Sequence, residues 1–254
     1  MKINFKGRLK EINFFISCIP NVLPSEKNLK MIDANIRASI ILLCSHFEGI
    51  LKELIKCYIE DINNKSLACS NLETITYVRN IIGKNIDTLS DINKLTKTLE
   101  EYHFAINSNS IIKLDYKKFN DTKSNPSPEI VIKLFNSLGF KNIIDELNME
   151  HFSIVPYYDS KKFLRENEKQ EMLKFIDEST LIQIDNILTK SRVTQKQLFT
   201  RGYYKDINDL LLARNEIVHG NSSYKLTLQD VIKLKKNIFK LLLGIYKKLD
   251  DKLI

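Results

Sequence analysis

Ile36, Ile40, Leu43, Phe47, Ile50, Leu51, Leu54 and Tyr58 recur at three- and four-residue steps and make one continuous apolar stripe. The spacing predicts a long helix over about Glu26–Asn63, with no proline and one interruption at Gly49. A second stripe runs through Leu228, Val231, Ile232, Ile238, Phe239, Leu242, Leu243, Ile245, Tyr246 and Leu249. It predicts a last helix from about Leu228 to Leu249, with Thr227 at the N-cap and Asp230 three residues in. A first helix is expected from about Lys2 to Ile19, stopped by Pro20 and Pro24. Shorter helices are expected near Asn71–Ile82, Ser90–Phe104, Asn167–Lys190 and Lys205–His219. Another should start near Pro128, with that proline early in the helix, and end at Gly139. Residues 120–128 and 150–162 read as irregular connections. There is no internal repeat, so residues 1–254 are expected to form one all-α bundle with the two striped helices as its spine.

Composition agrees with this pattern. The chain has 254 residues, enough to bury a core without cross-links, and 43% hydrophobic with 28% charged residues excludes a disordered chain. Seven Gly and five Pro are far fewer than the turns of an all-β fold require. The formal charge of +8 admits a polyanionic partner. It also has a plainer source, because the skew toward Lys, Ile and Asn over Arg is expected of an AT-rich genome. Cys18, Cys44, Cys57 and Cys69 form no C-x-x-C pair, which argues against a zinc site or disulfide framework. The N-terminal run Ile12–Cys18 is too short and polar for a signal peptide, and Ala38–Cys44 is far below membrane-spanning length. A reduced cytoplasmic protein without membrane contact, bound metal or cofactor is the expectation.

The most informative segment is Asp209-Leu-Leu-Leu-Ala-Arg214-Asn215-Glu-Ile-Val-His219-Gly220. As an ordinary helix C-terminus it explains a histidine in the last turn and a glycine cap. It leaves Arg214 and Asn215 unexplained. Asn215 and His219 are four apart and share a face, and Arg214 lies about 100° around the helix from Asn215. Imidazole, amide and guanidinium thus gather at one helix end. Such a set suits a phosphodiester: guanidinium holds phosphate oxygens bidentately, and imidazole as a class moves protons near neutral pH.

Arg214-Asn215-x-x-x-His219 resembles the R-x4-6-H motif of HEPN domains, with a polar residue directly after the arginine. Ile217-Val218-His219-Gly220 is similar to the way that family closes this helix. Given 7 Arg, 24 Asn and 4 His in the chain, chance would supply roughly 0.01 matches to R-N-x3-H. Two further segments resemble HEPN proteins found near toxin–antitoxin, restriction and phage-defence loci: Ile40–Lys52, which carries Glu48, and Thr122–Glu129 continuing to Leu138-Gly139. The resemblance implies an all-α HEPN-type bundle with additional helices that dimerises around the motif. It further implies a metal-independent endoribonuclease acting on single-stranded RNA, as a toxin or antiphage effector. In that reading His219 is general acid or base for attack of a ribose 2′-hydroxyl, Arg214 stabilises phosphoryl charge, and Asn215 orients the imidazole or its backbone. An antitoxin or defence-system protein is a possible partner. The alternative is a catalytically silent HEPN module for RNA or protein binding and dimerisation.

Other residues carry competing readings. Glu48 could support Arg214 or simply pair with Lys52 one turn on. Tyr224 and Lys225 could stack on a base or touch phosphate, or be a polar loop before the last helix. His46, His103 and His151 have no motif context. The basic stretch Lys161–Lys174 is interleaved with Glu166, Glu168 and Glu171, as in a solvated face.

Overall fold

A computed structural model describes residues 3–19, 26–68, 71–82, 92–108, 110–122, 126–153, 201–221 and 225–253. Among these, eight α-helices occur: α1 (Phe5–Ser17), α2 (Glu26–Asn64), α3 (Thr74–Ile82), α4 (Ile92–Asn107), α5 (Pro128–Asn136), α6 (Ile143–Phe152), α7 (Gly202–Val218) and α8 (Leu228–Asp251). A single 3-10 turn covers Tyr116–Lys118, and the one β-bridge among the described residues joins Ala68 to Ile111. The all-α expectation holds. No helix among the described residues is long and apolar enough to cross a membrane.

The α2 stripe is the centre of the core. Ile36, Ile40, Leu43, Phe47, Ile50, Leu51, Leu54 and Tyr58 are all buried, and one cluster joins them to residues of α1, α5, α6, α7 and α8. The most extensive helix pairing is α2 with α8, as the two stripes require. α1 crosses α2 where Gly49 leaves room: an added Cβ there would lie 2.6 Å from a guanidinium nitrogen of Arg8. Arg8 is thereby free to reach Glu53 at 2.9 Å.

Thr227 caps α8 as expected. Its hydroxyl accepts from the Asp230 N–H at 3.2 Å, while the Asp230 carboxylate accepts from the Thr227 N–H at 2.9 Å. One position of the stripe is different. Leu243 is exposed, whereas Leu234 and Leu241 are buried. The buried face follows Val231, Leu234, Ile238, Leu241, Leu242, Ile245 and Leu249, and Leu243 sits on the other side of the helix.

α6 is a helix that apolar spacing does not announce, and it corrects the irregular reading of 150–162 at residues 150–152. The reason is that its inward face carries two polar residues, Asp145 and Asn148, both buried. They fasten the start of α7. Asn148 Oδ1 accepts from the Tyr203 N–H at 2.9 Å, and the Tyr204 hydroxyl donates to Asp145 at 2.6 Å. Both tyrosines are buried, so α7 leaves α6 from a fixed anchor. The helix expected over 167–190 lies outside the described residues.

Candidate active site

α7 delivers the motif at its C-terminal end. Arg214 and Asn215 are half-buried on the last helical turns, and His219 is the exposed C-cap residue. The helix closes in a Schellman arrangement. The Gly220 N–H bonds to the Ile217 carbonyl at 3.1 Å and the Asn221 N–H to the Glu216 carbonyl at 3.0 Å. Gly220 has φ +72°, the left-handed region in which a glycine is least strained. The glycine therefore serves to stop the helix directly after His219, which leaves the imidazole on an open end.

Within this end, the Arg214 guanidinium donates to Asn215 Oδ1 at 2.9 Å. The Asn215 main-chain carbonyl accepts from the His219 N–H, also at 2.9 Å. Asn215 thus links the two, by its side chain to Arg214 and by its backbone to His219. No hydrogen bond among the described residues joins the Asn215 amide to the imidazole. The part of the expectation in which Asn215 steers the backbone has a contact behind it, and the part in which it steers the ring has none.

Arg214 also faces α2. Its charge acts on Cys44 and Glu48, which lie one turn apart on that helix. Burial pushes the Cys44 thiol up, Arg214 opposes this, and Glu48 adds to it. For Glu48, burial would raise the carboxyl, but hydrogen bonds from Lys52 and Thr122, with the charges of Lys52 and Arg214, hold it below the usual glutamate range. The Lys52 ammonium and the Thr122 hydroxyl each donate to Glu48 Oε1 at 2.6 Å. Glu48 thus makes the pair with Lys52 that one reading gave it, and it sits in the field of Arg214 without a direct ion pair, so the reading in which it supports Arg214 has no contact behind it.

Three separated segments meet here. Thr122, a buried residue, brings the 120–122 stretch against Glu48, and α7 brings Arg214 to the same part of α2. Arg37 completes the surround from the other side. It bonds Asp33 at 2.8 Å and donates to the Asn221 carbonyl at 3.3 Å, while the Asn221 amide donates to Glu216 at 2.5 Å. The turn that follows His219 is thus tied back to α2. Sequence reasoning singled out neither Thr122 nor Arg37 as a site residue. The usable signal for Arg37 was its register: positions 37, 41, 44, 48 and 52 run along one face of α2. Lys225 is exposed, and Tyr224 lies outside the described residues. No group of three or more His, Cys, Asp or Glu among the described residues is placed to hold a metal ion.

A family model described as RiboL-PSP-HEPN matches residues 3–251. The chain belongs to the RiboL-PSP-HEPN family. The match runs from before α1 to the last residue of α8, so it takes in the whole described bundle. No curated protein and no solved structure matches the chain significantly. Membership in this HEPN family brings RNase-like or RNA-binding function as a class.

The low carboxyl of Glu48 has a consequence for stability. A carboxylate depressed by folding contributes stability that is complete above its ordinary value and is lost as pH falls through the lowered one. Glu48→Gln removes that contribution. The melting-temperature difference between wild type and Glu48→Gln should be largest near about pH 6 and shrink toward about pH 3. A difference that stays constant across this range would show that Glu48 is not held as an anion.

Proposed function

We propose that this RiboL-PSP-HEPN domain is an endoribonuclease that cuts single-stranded RNA by attack of a ribose 2′-hydroxyl on the adjacent phosphate. The observation that carries the reading is the single open helix end where a half-buried Arg214, bonded to Asn215, stands five residues before the exposed His219. An exposed imidazole can reach a phosphodiester without rearrangement. His219 takes the 2′-hydroxyl proton or delivers one to the departing 5′-oxygen. Arg214 balances charge on the phosphoryl oxygens, and its bond to Asn215 limits the orientations it explores. Glu48, on α2 within the field of Arg214, favours the cation at that place. The proton removed from the 2′-oxygen and the one given to the 5′-oxygen balance, so the products are a 2′,3′-cyclic phosphate and a 5′-hydroxyl end.

The protein acts as a homodimer in this reading, with two motif ends facing one RNA strand. Ile41 on α2 and Leu212 and Val218 on α7 are exposed apolar side chains on the helices that carry the site, and they suit contact with a second copy. A role as a cytoplasmic toxin or antiphage effector, with an antitoxin or defence partner, follows from the resemblance to proteins at such loci.

The deciding experiment uses RNA with a single 2′-deoxy substitution at the scissile nucleotide, in excess EDTA. Cleavage of the all-ribose strand, a cyclic phosphate on its product and no cleavage at the deoxy position are expected. Equal cleavage of both strands would exclude 2′-hydroxyl attack. Stoichiometric RNA binding with no cleavage of either would assign the chain to the silent class.

A further inference from the structure

α8 sorts its lysines by face. Lys235 points to α1 and donates to Asn13 at 2.7 Å, and Lys248 is engaged by Glu146 at 3.2 Å and by Glu150 on α6. The remaining surface follows Gln229, Lys233, Lys236, Lys240, Leu243 and Lys247, at three- and four-residue steps, and all six are exposed. None of these four lysines forms an ion pair among the described residues. Asp206 and Asp230 lie near enough to Lys233 to feel its charge. Along α8, Lys236 and Lys240 have no acidic residue three or four positions away, whereas Asp250 and the exposed Asp251 follow Lys247 by one turn. Lys240 and Lys247, together with Glu150, bear on His151 of α6 from that side. Beside them, Lys240 stands 5.7 Å from the ring centre of Phe152, which is 38% exposed.

The stripe also has a direction. α8 starts nine residues after His219, and Asn237 bonds Asp206 at 3.0 Å, so α8 runs back alongside α7, away from the motif end. The line of charge therefore leads from the exposed Lys225 and the His219 turn toward the α6 end of the bundle. From Lys236 to Lys247 it extends about 16 Å, at roughly 1.5 Å per residue, which accommodates several consecutive phosphates.

We propose that this face of α8 is a binding track for the phosphate backbone of single-stranded RNA, with Lys236, Lys240 and Lys247 on phosphates and Phe152 offering its ring to a base. The track rests on the ribonuclease reading for its choice of ligand, and it adds a second contact region remote from the chemistry. Point charges in a row suit a linear polyanion, and an exposed aromatic beside them suits an unpaired base. A membrane surface would call for a broad apolar face, and Leu243 is the one apolar residue on this stripe.

The test measures binding and cleavage separately. Binding is read by fluorescence anisotropy of a labelled single strand of about 20 nucleotides on full-length His219→Ala protein, across a salt series. The triple change Lys236→Gln, Lys240→Gln, Lys247→Gln is compared with a control of equal charge, Lys113→Gln, Lys117→Gln, Lys141→Gln. The α8 triple should weaken binding about tenfold or more and reduce the salt slope by about two, at roughly 0.7 per phosphate contact. The control triple should do neither. In the His219 background, the α8 triple should raise KM for the long strand, leave kcat unchanged, and leave cleavage of a dinucleotide as it was. Equal losses in the two triples, or none, would overturn the track, as would an acidic peptide that competes for α8 while RNA binding is untouched. If the long strand binds through α8 and no variant cleaves it, the ribonuclease reading fails and the track stands. If cleavage depends on His219 but both triples behave alike, the track fails alone.

Discussion

His219→Ala and Arg214→Ala are each expected to lower RNA cleavage by about 10²–10⁴-fold while leaving the far-UV circular dichroism unchanged. The size follows from the roles. Loss of a positioned acid or base and loss of the group that balances phosphoryl charge each remove a contribution of that order. Preservation of the fold follows from position. His219 is an exposed cap residue whose N–H still bonds the Asn215 carbonyl after substitution, so the helix end persists, with stability within about 0.5 kcal/mol. Arg214 is half-buried and its guanidinium bonds Asn215, so its removal has a modest structural effect as well. Arg214→Lys separates the two effects: it keeps the charge near Glu48 but loses the planar two-nitrogen grip, and only a minor part of the rate should return. Variants that cut RNA as fast as wild type would remove both residues from the site.

The largest stability effect is expected at Phe47→Ala, a loss of about 3–5 kcal/mol. Phe47 is fully buried on the α2 stripe, between Cys44 and Leu51 and beside Glu48. Truncating its ring removes apolar burial and opens a cavity that neighbouring helices cannot close without shifting. For a chain of this size the melting temperature should fall by roughly 6–20 °C. The same experiment examines the expectation of one domain. If residues 1–254 unfold as a unit, the variant will lower a single transition seen alike by circular dichroism and tyrosine fluorescence. Two transitions, only one of them shifted, would divide the chain. A loss under about 1 kcal/mol would mean that the core at α2 is not packed as described.

The bundle was legible to the extent that its inward faces are apolar. α2 could be read from its stripe to within a residue, because a helix at the centre of a core buries one whole face. α8 was legible for the same reason, and the exposed Leu243 marks where a broad stripe misleads: leucines on an outer face look like those on the inner one. α6 escaped because its buried face carries Asp145 and Asn148, and their burial depends on partners 59 and 55 residues on, at Tyr204 and Tyr203. Arg214, Asn215, His219 and Gly220 could be read together because one helix end holds all four. Thr122 could not, since it reaches Glu48 across a gap in sequence that only packing closes, and for Arg37 the α2 face was legible but its bond to the Asn221 carbonyl was not.

Local order, then, was written in the chain: periodicity, the Thr227 and Asp230 box, and the glycine that stops the motif helix are all short-range properties of backbone geometry and burial. What the tertiary structure alone decided is which charged groups share a place. It set Glu48 in the field of Arg214, tied the turn after His219 to Arg37, and left Lys236, Lys240 and Lys247 of α8 exposed while Lys248 paired with Glu146 and Glu150 of α6. Coulombic and hydrogen-bond partners depend on distances through space, and those distances arise only when the helices have packed.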